Sequence, residues 1–158
     1  MRAVAQRVTE AAVSWTDAKG KEHTQGIGMG LAILLGAGPQ DSLEDADRLA
    51  DKVAQLRIFS DVDDRFNLSL MDVQGEALVV SQFTLYADVR RGRRPSFIGA
   101  AEPEWASQLC DRFADRLLAR GLTTRTGSFG SHMHLSLVNQ GPVTVVLSTD
   151  PWETRING

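Results

Sequence analysis

Glu76-Ala77-Leu78-Val79-Val80-Ser81-Gln82-Phe83-Thr84-Leu85-Tyr86 decides the fold class of this chain. Its apolar middle reads as a strand buried in a sheet, running from Glu76 to Tyr86. Ser81, Gln82 and Thr84 then bring small hydroxyls, an amide and backbone N–H groups to a strand end. A second stretch, Asn139-Gln140-Gly141-Pro142-Val143-Thr144, lies between two apolar runs. It puts a Gly-Pro bond where the chain would otherwise continue as a strand, and proline there removes a ladder donor. Neither Ser81 to Leu85 nor the second stretch contains a conventional acid, base or metal ligand.

Periodicity supplies the surrounding elements. Residues 1–9 alternate, with Val4, Gln6 and Val8 on one side, and read as a strand. Residues 11–15 read as a second, short strand, followed by the turn Asp17-Ala18-Lys19-Gly20. Residues 22–28 and 30–36 make two more. Ser42 to Ile58 is the first helix: Ser42 and Asp45 form a capping box, and Ala46, Leu49, Ala50, Val53 and Leu56 form one apolar stripe. Asp61 to Arg65 is a polar turn. Pro103 to Arg120 is the second helix, with Trp105, Leu109, Phe113 and Leu117 recurring every four residues and Gly121 as its stop. Residues 122–126, 133–139 and 143–149 are further strands. Many strands with two one-sided helices give an α/β fold, mixed β-sheets with both helices packed on one face. No repeat or linker divides it, so residues 1–149 read as one domain and residues 150–158 as a tail.

The 158 residues carry a net charge of −3, so no global basic field advertises nucleic acid, and DNA is not expected as a partner. Any RNA contact must come from a local patch. Arg90-Arg91-Gly92-Arg93-Arg94-Pro95 is the one dense basic cluster. It suits either phosphate contacts or a solvated loop. A single cysteine, Cys110, excludes an internal disulfide and a multi-cysteine zinc site, and fits a reducing cytosol. It falls on the apolar face of the second helix and reads as a small buried hydrophobe. No apolar stretch reaches membrane-spanning length, and the first residues lack a signal-peptide pattern. A cytoplasmic protein with no membrane partner is expected.

Four features compete as chemistry. Gly26-x-Gly28-x-Gly30 lies between two strands, so no helix start waits for a phosphate, and a tight hairpin is expected. His132 and His134 share one strand face but lack an obvious third ligand, so they read as a structural pair rather than a metal site. Thr84 as nucleophile needs a base, and only Asp88 stands near it in sequence. A turn at Phe83-Thr84 that aims backbone N–H groups at an oxyanion is the better reading, with Ser81 and Gln82 orienting substrate or water. Gly141-Pro142 is either an ordinary trans turn or a cis bond, whose two carbonyls can point nearly the same way and accept from an ammonium group.

Together, the blocks Met1-Arg2-Ala3-Val4, Leu56-Arg57-Ile58-Phe59, Asn67-Leu68-Ser69, Val79 to Phe97, Phe129-Gly130 and Asn139 to Thr144 resemble the D-aminoacyl-tRNA deacylase family. The resemblance runs from Met1 to about Thr149. Gln140 departs from it, since an acidic residue is common there, and the tail from Asp150 extends past the usual end. The resemblance implies a three-layer ββα sandwich and hydrolysis of the ester in D-aminoacyl-tRNA, and of glycine mischarged on tRNA-Ala. It implies no metal or cofactor. It also implies a homodimer with the active site at the subunit interface, where a cis Gly141-Pro142 reaches into the partner subunit's site. Ser81, Gln82, Phe83 and Thr84 are then catalytic, and Arg7 holds the Gly-Pro segment. Asn139, Gly141 and Pro142 take part in substrate binding and chiral selection. Met133 and Phe129 line the pocket or terminal-adenosine site, although core packing suits both. Editing of L-aminoacyl-tRNA and a non-catalytic RNA-binding module are the alternatives.

Overall fold

The computed structural model describes residues 1–90 and 92–152. In chain order the elements are β1 (Arg2–Thr16), β2 (Glu22–Ile27), β3 (Gly30–Gly36), α1 (Leu43–Ala54), β4 (Phe59–Ser60), β5 (Phe66–Leu68), β6 (Glu76–Ser81), a 3₁₀ turn (Phe83–Tyr86), α2 (Pro103–Ala119), β7 (Thr124–Thr126) and β8 (Met133–Ser148). β1 organises the sheet. Along one edge it pairs antiparallel with β8 from Arg2 to Trp15. Along the other it pairs with β3 and then β2. β3, β6 and β7 continue the sheet in parallel, and β4 and β5 form a separate short ribbon.

Two apolar clusters show how this sheet is folded. Ala3, Ala5, Leu31, Ile33 and Val79 meet α1 and α2 through Leu49, Val53, Leu109 and Phe113. On the opposite face, Ala32, Leu78 and Val80 meet Val8, Val13 and Ile27, with Leu135 and Leu137 beside them. The far half of β1, with β2 and the start of β8, therefore folds back over β3 and β6. The result is the expected three layers, helices on sheet on sheet, with each inner face dry.

Four expectations need correction. The strands expected at 1–9 and 11–15 are one strand, as are those at 133–139 and 143–149. Register shifts around Val8 let β1 and β8 bend together instead of ending. Gly28-Met29 is not a tight hairpin. Val8 pairs with Gly30 and Ala11 with Ile27, so β2 and β3 lie end to end along one edge of β1. The first helix stops at Ala54, and Gln55 caps it: the Gln55 and Leu56 N–H groups turn to the Lys52 and Val53 carbonyls, three residues back, and Ile58 lies past the end, where its carbonyl accepts from Arg7. The strand from Glu76 stops at Ser81: the Gln82 N–H goes to the Leu35 carbonyl, and the Leu85 N–H turns back to Gln82.

Local signals that needed no distant partner hold as expected. Ser42 and Asp45 make a reciprocal capping box. Pro103 opens α2, and Gly121 at φ +82° follows its end. The exposed sides of the helices are joined by ion pairs, Arg112 with Asp47 and both Arg116 and Arg120 with Asp51. Hydrogen bonds from these two arginines hold the Asp51 carboxyl well below the usual carboxylate range.

Gly30 is the tightest point of the frame. A Cβ there would stand 1.8 Å from the Glu76 carbonyl oxygen, a backbone atom that cannot move aside. Gly30→Ala is expected to separate β3 from β6 and to lower unfolding free energy by about 3 kcal/mol, the upper range for overpacking. Urea denaturation of the variant beside the parent protein measures this.

Candidate active site

The first predicted stretch becomes a sharp turn at the carboxyl end of the parallel pair β3–β6. Leu35 pairs with Ser81, the last residue of β6. Close backbone approach is built in: a Cβ on Gly36 would lie 2.9 Å from the Gln82 carbonyl oxygen. The turn then winds as a 3₁₀ helix whose first hydrogen bond is Leu85 N–H to Gln82 O, at 3.2 Å. That geometry leaves the N–H groups of Phe83 and Thr84 ahead of the helical bonding. Both residues are exposed, and the Phe83 ring rests edge-on against Phe97. Ser81 and Gln82 are half-buried, and the Gln82 amide donates to the Thr84 hydroxyl. Asp88, the candidate base, is occupied by both the Nε and Nη2 atoms of Arg90, at 2.9 and 2.6 Å.

The second stretch bulges out of the edge strand β8. Gln6 pairs with Thr144 and Val8 with Asn139, so Gln140 to Val143 all lie opposite Arg7. The bulge is closed at its base by Asn139. Its side-chain oxygen accepts the Val143 N–H at 2.9 Å, and its amide donates to the Thr144 hydroxyl at 3.1 Å. Gly141 has φ +126°, a conformation closed to most side chains, and its bond to Pro142 is cis. A Cβ on Gly141 would meet Val143 Cγ2 at 2.7 Å and Arg7 Nη2 at 3.1 Å.

Arg7 holds this bulge from beneath. Only 8% of it is exposed, which is unusual for a guanidinium. Its Nε donates to the Gln140 carbonyl at 3.2 Å and its Nη1 to the Ile58 carbonyl at 2.7 Å, while its plane lies over the Phe66 ring. Only the neighbourhood of Ile58 and Phe66 explains this burial. Sequence pattern assigned neither residue this role, because Ile58, 51 residues from Arg7, lies after α1 and Phe66 lies in β5, both far along the chain.

One chain does not bring the two stretches together. Arg7 is opposite Leu31, whereas Ser81 is opposite Leu35. Four strand steps separate them along β3, roughly 13 Å before the width of the intervening strands is added. Phe129 belongs to the turn's end of the molecule. Val79 pairs with Thr126, so the segment after β7 runs on beside Ser81. Phe129 is 39% exposed there. Met133 is half-buried, pairs with Trp15 and packs on the second apolar cluster.

The remaining candidates separate cleanly. Arg90, Arg93 and Arg94 belong to a loop closed by backbone bonds between Asp88 and Ser96. Arg93 and Arg94 are exposed, Arg90 pairs with Asp88, and Arg91 lies outside the described residues. His132 and His134 touch edge to face, while His23 bonds Asp17 at 2.8 Å and stacks on Trp15. Among the described residues no cluster of three or more His, Cys, Asp or Glu could hold a metal ion. Burial pushes the Cys110 thiol up to about 12, where it is inert as a nucleophile. No described helix is long and apolar enough to cross a membrane.

A family model described as D-Tyr-tRNA(Tyr) deacylase matches residues 4–148. The chain is 56% identical over 149 residues to a D-aminoacyl-tRNA deacylase of Chloroflexus aurantiacus, covering 94% of this chain and 91% of that one. It is 52% identical over 150 residues to a D-aminoacyl-tRNA deacylase of Thermotoga petrophila, covering 94% and 97%. A solved structure described as a c-Myc DNA unwinding element binding protein superposes with a TM-score of 0.85 at 35% identity, over 96% of this chain and 100% of that one. Another, described as a probable eukaryotic D-amino acid tRNA deacylase, shares the fold with a TM-score of 0.76 at 19% identity, over 92% and 97%. With relatives more than half identical along nearly its whole length, the chain belongs to the D-aminoacyl-tRNA deacylase family, hydrolases that act on the ester bond between a D-amino acid and tRNA.

Proposed function

We propose that the chain hydrolyses D-aminoacyl-tRNA in a site assembled from two copies of itself. One copy supplies the turn Ser81–Thr84, and the other supplies the Gly141-Pro142 loop. The observation that carries this reading is the separation of the two stretches within one chain, roughly 13 Å or more along β3. A rigidly held loop that bulges from an edge strand is also suited to entering a neighbour.

In this reading the N–H groups of Phe83 and Thr84 face the oxyanion that forms as water adds to the ester carbonyl. Ser81 and Gln82 hold the substrate or the water. An activated ester needs positioning more than strong acid–base help, and the vicinal 2′-hydroxyl of the terminal ribose assists the water. The Gly141 and Pro142 carbonyls accept from the α-ammonium group. They leave room for hydrogen and a D side chain, and they exclude an L side chain sterically. Glycine on tRNA-Ala fits the same rule, since it has no side chain to exclude. Arg7 and Asn139 keep the loop in place, and Phe129 with Met133 borders the terminal adenosine. The arginine loop meets tRNA phosphates through Arg93 and Arg94, with Arg90 and Arg91 beside them. A reducing cytoplasm suits a chain with one cysteine.

Subunit sharing makes a sharp expectation. Phe83→Pro deletes one turn N–H, and Gly141→Ala displaces the loop. Each variant alone is expected to lose ~100-fold or more in single-turnover hydrolysis of D-aminoacyl-tRNA. Mixed dimers of the two contain one intact site in two. An equal mixture after subunit exchange should regain about a quarter of parental activity. No regain in verified mixed dimers means that each site lies within one chain.

Thr84→Ala is expected to retain substantial activity, because the backbone at Thr84 matters more than its hydroxyl. A true nucleophile would cost many orders of magnitude when removed. A folded but inactive Thr84→Ala protein would return the hydroxyl to the mechanism. Paired assays with D- and L-aminoacyl-tRNA separate this reading from L-specific editing.

Neutralising Arg90, Arg91, Arg93 and Arg94 together is expected to weaken tRNA binding and flatten its dependence on salt. Titrations at two salt concentrations read this directly. Equal affinity at both, before and after substitution, leaves the loop simply solvated.

A further inference from the structure

The segment that follows β8 is fastened to the first residue of β1, and through it to the candidate oxyanion turn. Arg2 makes the connection. Its Nη1 donates to the Leu85 carbonyl at 2.9 Å, inside the 3₁₀ turn. Its guanidinium lies 4.1 Å from the centre of the Tyr86 ring and 5.0 Å from that of Trp152. Its Nη2 reaches the Asp150 carboxylate at 3.4 Å. Asp150 is in turn held by the Ser148 hydroxyl, which donates to it at 2.7 Å. Burial pushes the Asp150 carboxyl up, but Ser148 and Arg2 outweigh it and hold it below the usual range, so it stays charged beside Arg2. The Arg2 Nε is buried with no hydrogen-bond partner among the described residues. The guanidinium is therefore held by its two outer nitrogens and the flanking rings.

Below this contact lies a second fastening. The Asp41 carboxylate accepts from the Tyr86 hydroxyl at 3.0 Å, the Gly38 N–H at 2.6 Å and the Thr149 hydroxyl at 3.1 Å, and it pairs with the Met1 ammonium. Tyr86 is thus also held by Asp41, independently of Arg2. What Arg2 adds is a hold on Leu85, one residue past Thr84. That carbonyl belongs to the same short 3₁₀ turn as Phe83 and Thr84, so a hold on it restrains the turn that carries their N–H groups.

We propose that Arg2 is a positioning residue for the turn that carries Phe83 and Thr84, and that Asp150 and Trp152 clamp Arg2 in that role. The segment beyond β8 then sets the rate of ester hydrolysis without touching substrate. This inference rests on the function proposed for the turn. A groove of about 750 Å³ beside the clamp is walled by these same residues, with Asp41, Asp88 and Asp150 on its lining. Arg2 and Arg90 line it too, and each carboxylate is engaged by a cation, Asp41 by the Met1 ammonium, Asp88 by Arg90 and Asp150 by Arg2.

Single-turnover hydrolysis of D-aminoacyl-tRNA by full-length variants tests the clamp, beside urea denaturation of each. Trp152→Ala and Asp150→Asn should each lower the rate constant at saturating enzyme by roughly 3–10-fold, with half-saturation within about twofold and an unchanged urea midpoint. Arg2→Ala should cost up to ~100-fold and Arg2→Lys less, since lysine keeps a donor for Leu85 but cannot stack as a plane. The decisive measurement is coupling. In the Arg2→Ala background, Trp152→Ala should have no further effect on rate. Parental rates in the Trp152 and Asp150 variants, or additive losses in the double variant, would overturn the clamp while leaving the turn's role intact. Loss of stability with an unchanged rate would also overturn it. A parental protein that cannot hydrolyse D-aminoacyl-tRNA would overturn both readings together.

Discussion

The buried guanidinium of Arg7 is the contact on which the candidate site most depends. Removing a charge from water is costly unless hydrogen bonds replace the solvent. Here the replacements are the Gln140 and Ile58 carbonyls and the Phe66 ring. Each comes from a different part of the chain. Satisfying one side chain therefore fixes the bulge on β8, the end of the segment after α1 and the β4–β5 ribbon relative to β1. If the bulge drifts, the buried Arg7 Nε loses its acceptor, the Gln140 carbonyl. Asn139 repeats the logic on a smaller scale, because its side chain takes up the Val143 N–H that the interrupted ladder cannot use.

The opposite end of β3 depends on close backbone approach. Gly36 and Gly38 admit Gln82 and Tyr86 where any side chain would collide. The Asp41 carboxylate then gathers Tyr86, Gly38, Thr149 and the Met1 ammonium at one point. The turn at Phe83-Thr84 is consequently set by the frame rather than by its own short 3₁₀ bonds. A preorganised turn suits electrostatic stabilisation, whose effect depends on donors that need not reorganise as charge develops. It also accounts for the lack of a conspicuous acid or base: Asp88 is engaged by Arg90, and no metal-binding cluster occurs among the described residues.

The two candidate halves face the same problem from opposite ends of one sheet. β1 and β8 bend together, and the bend falls where Arg7 and the Gly-Pro loop lie. The parallel strands β3 and β6 end where Ser81 begins the turn. Folding the sheet back on itself buries a second core, but it also fixes the two ends apart. The proposed function, which needs both, therefore calls on a second copy, to which the bulge on an edge strand is the part presented.

Much of the fold was legible in local pattern. The stripe of Leu109, Phe113 and Leu117, the Ser42–Asp45 box, the stop at Gly121 and the alternation of β1 all depend on spacing within a few residues, and spacing is what a sequence displays. The two candidate stretches were visible for a related reason: Gly141-Pro142 breaks a strand pattern, and Ser81 to Thr84 ends an apolar run in polar residues. What the sequence could not display were the partners. That β2 and β3 lie end to end along β1, that the Ile58 carbonyl serves Arg7, that the Gln82 N–H leaves its strand for Leu35, and that Arg2 reaches Leu85 and Trp152 are all contacts between distant segments. Only the tertiary structure decided them, because a hydrogen bond or a ring contact is specified by where folding brings two groups, and no period along the chain encodes that distance.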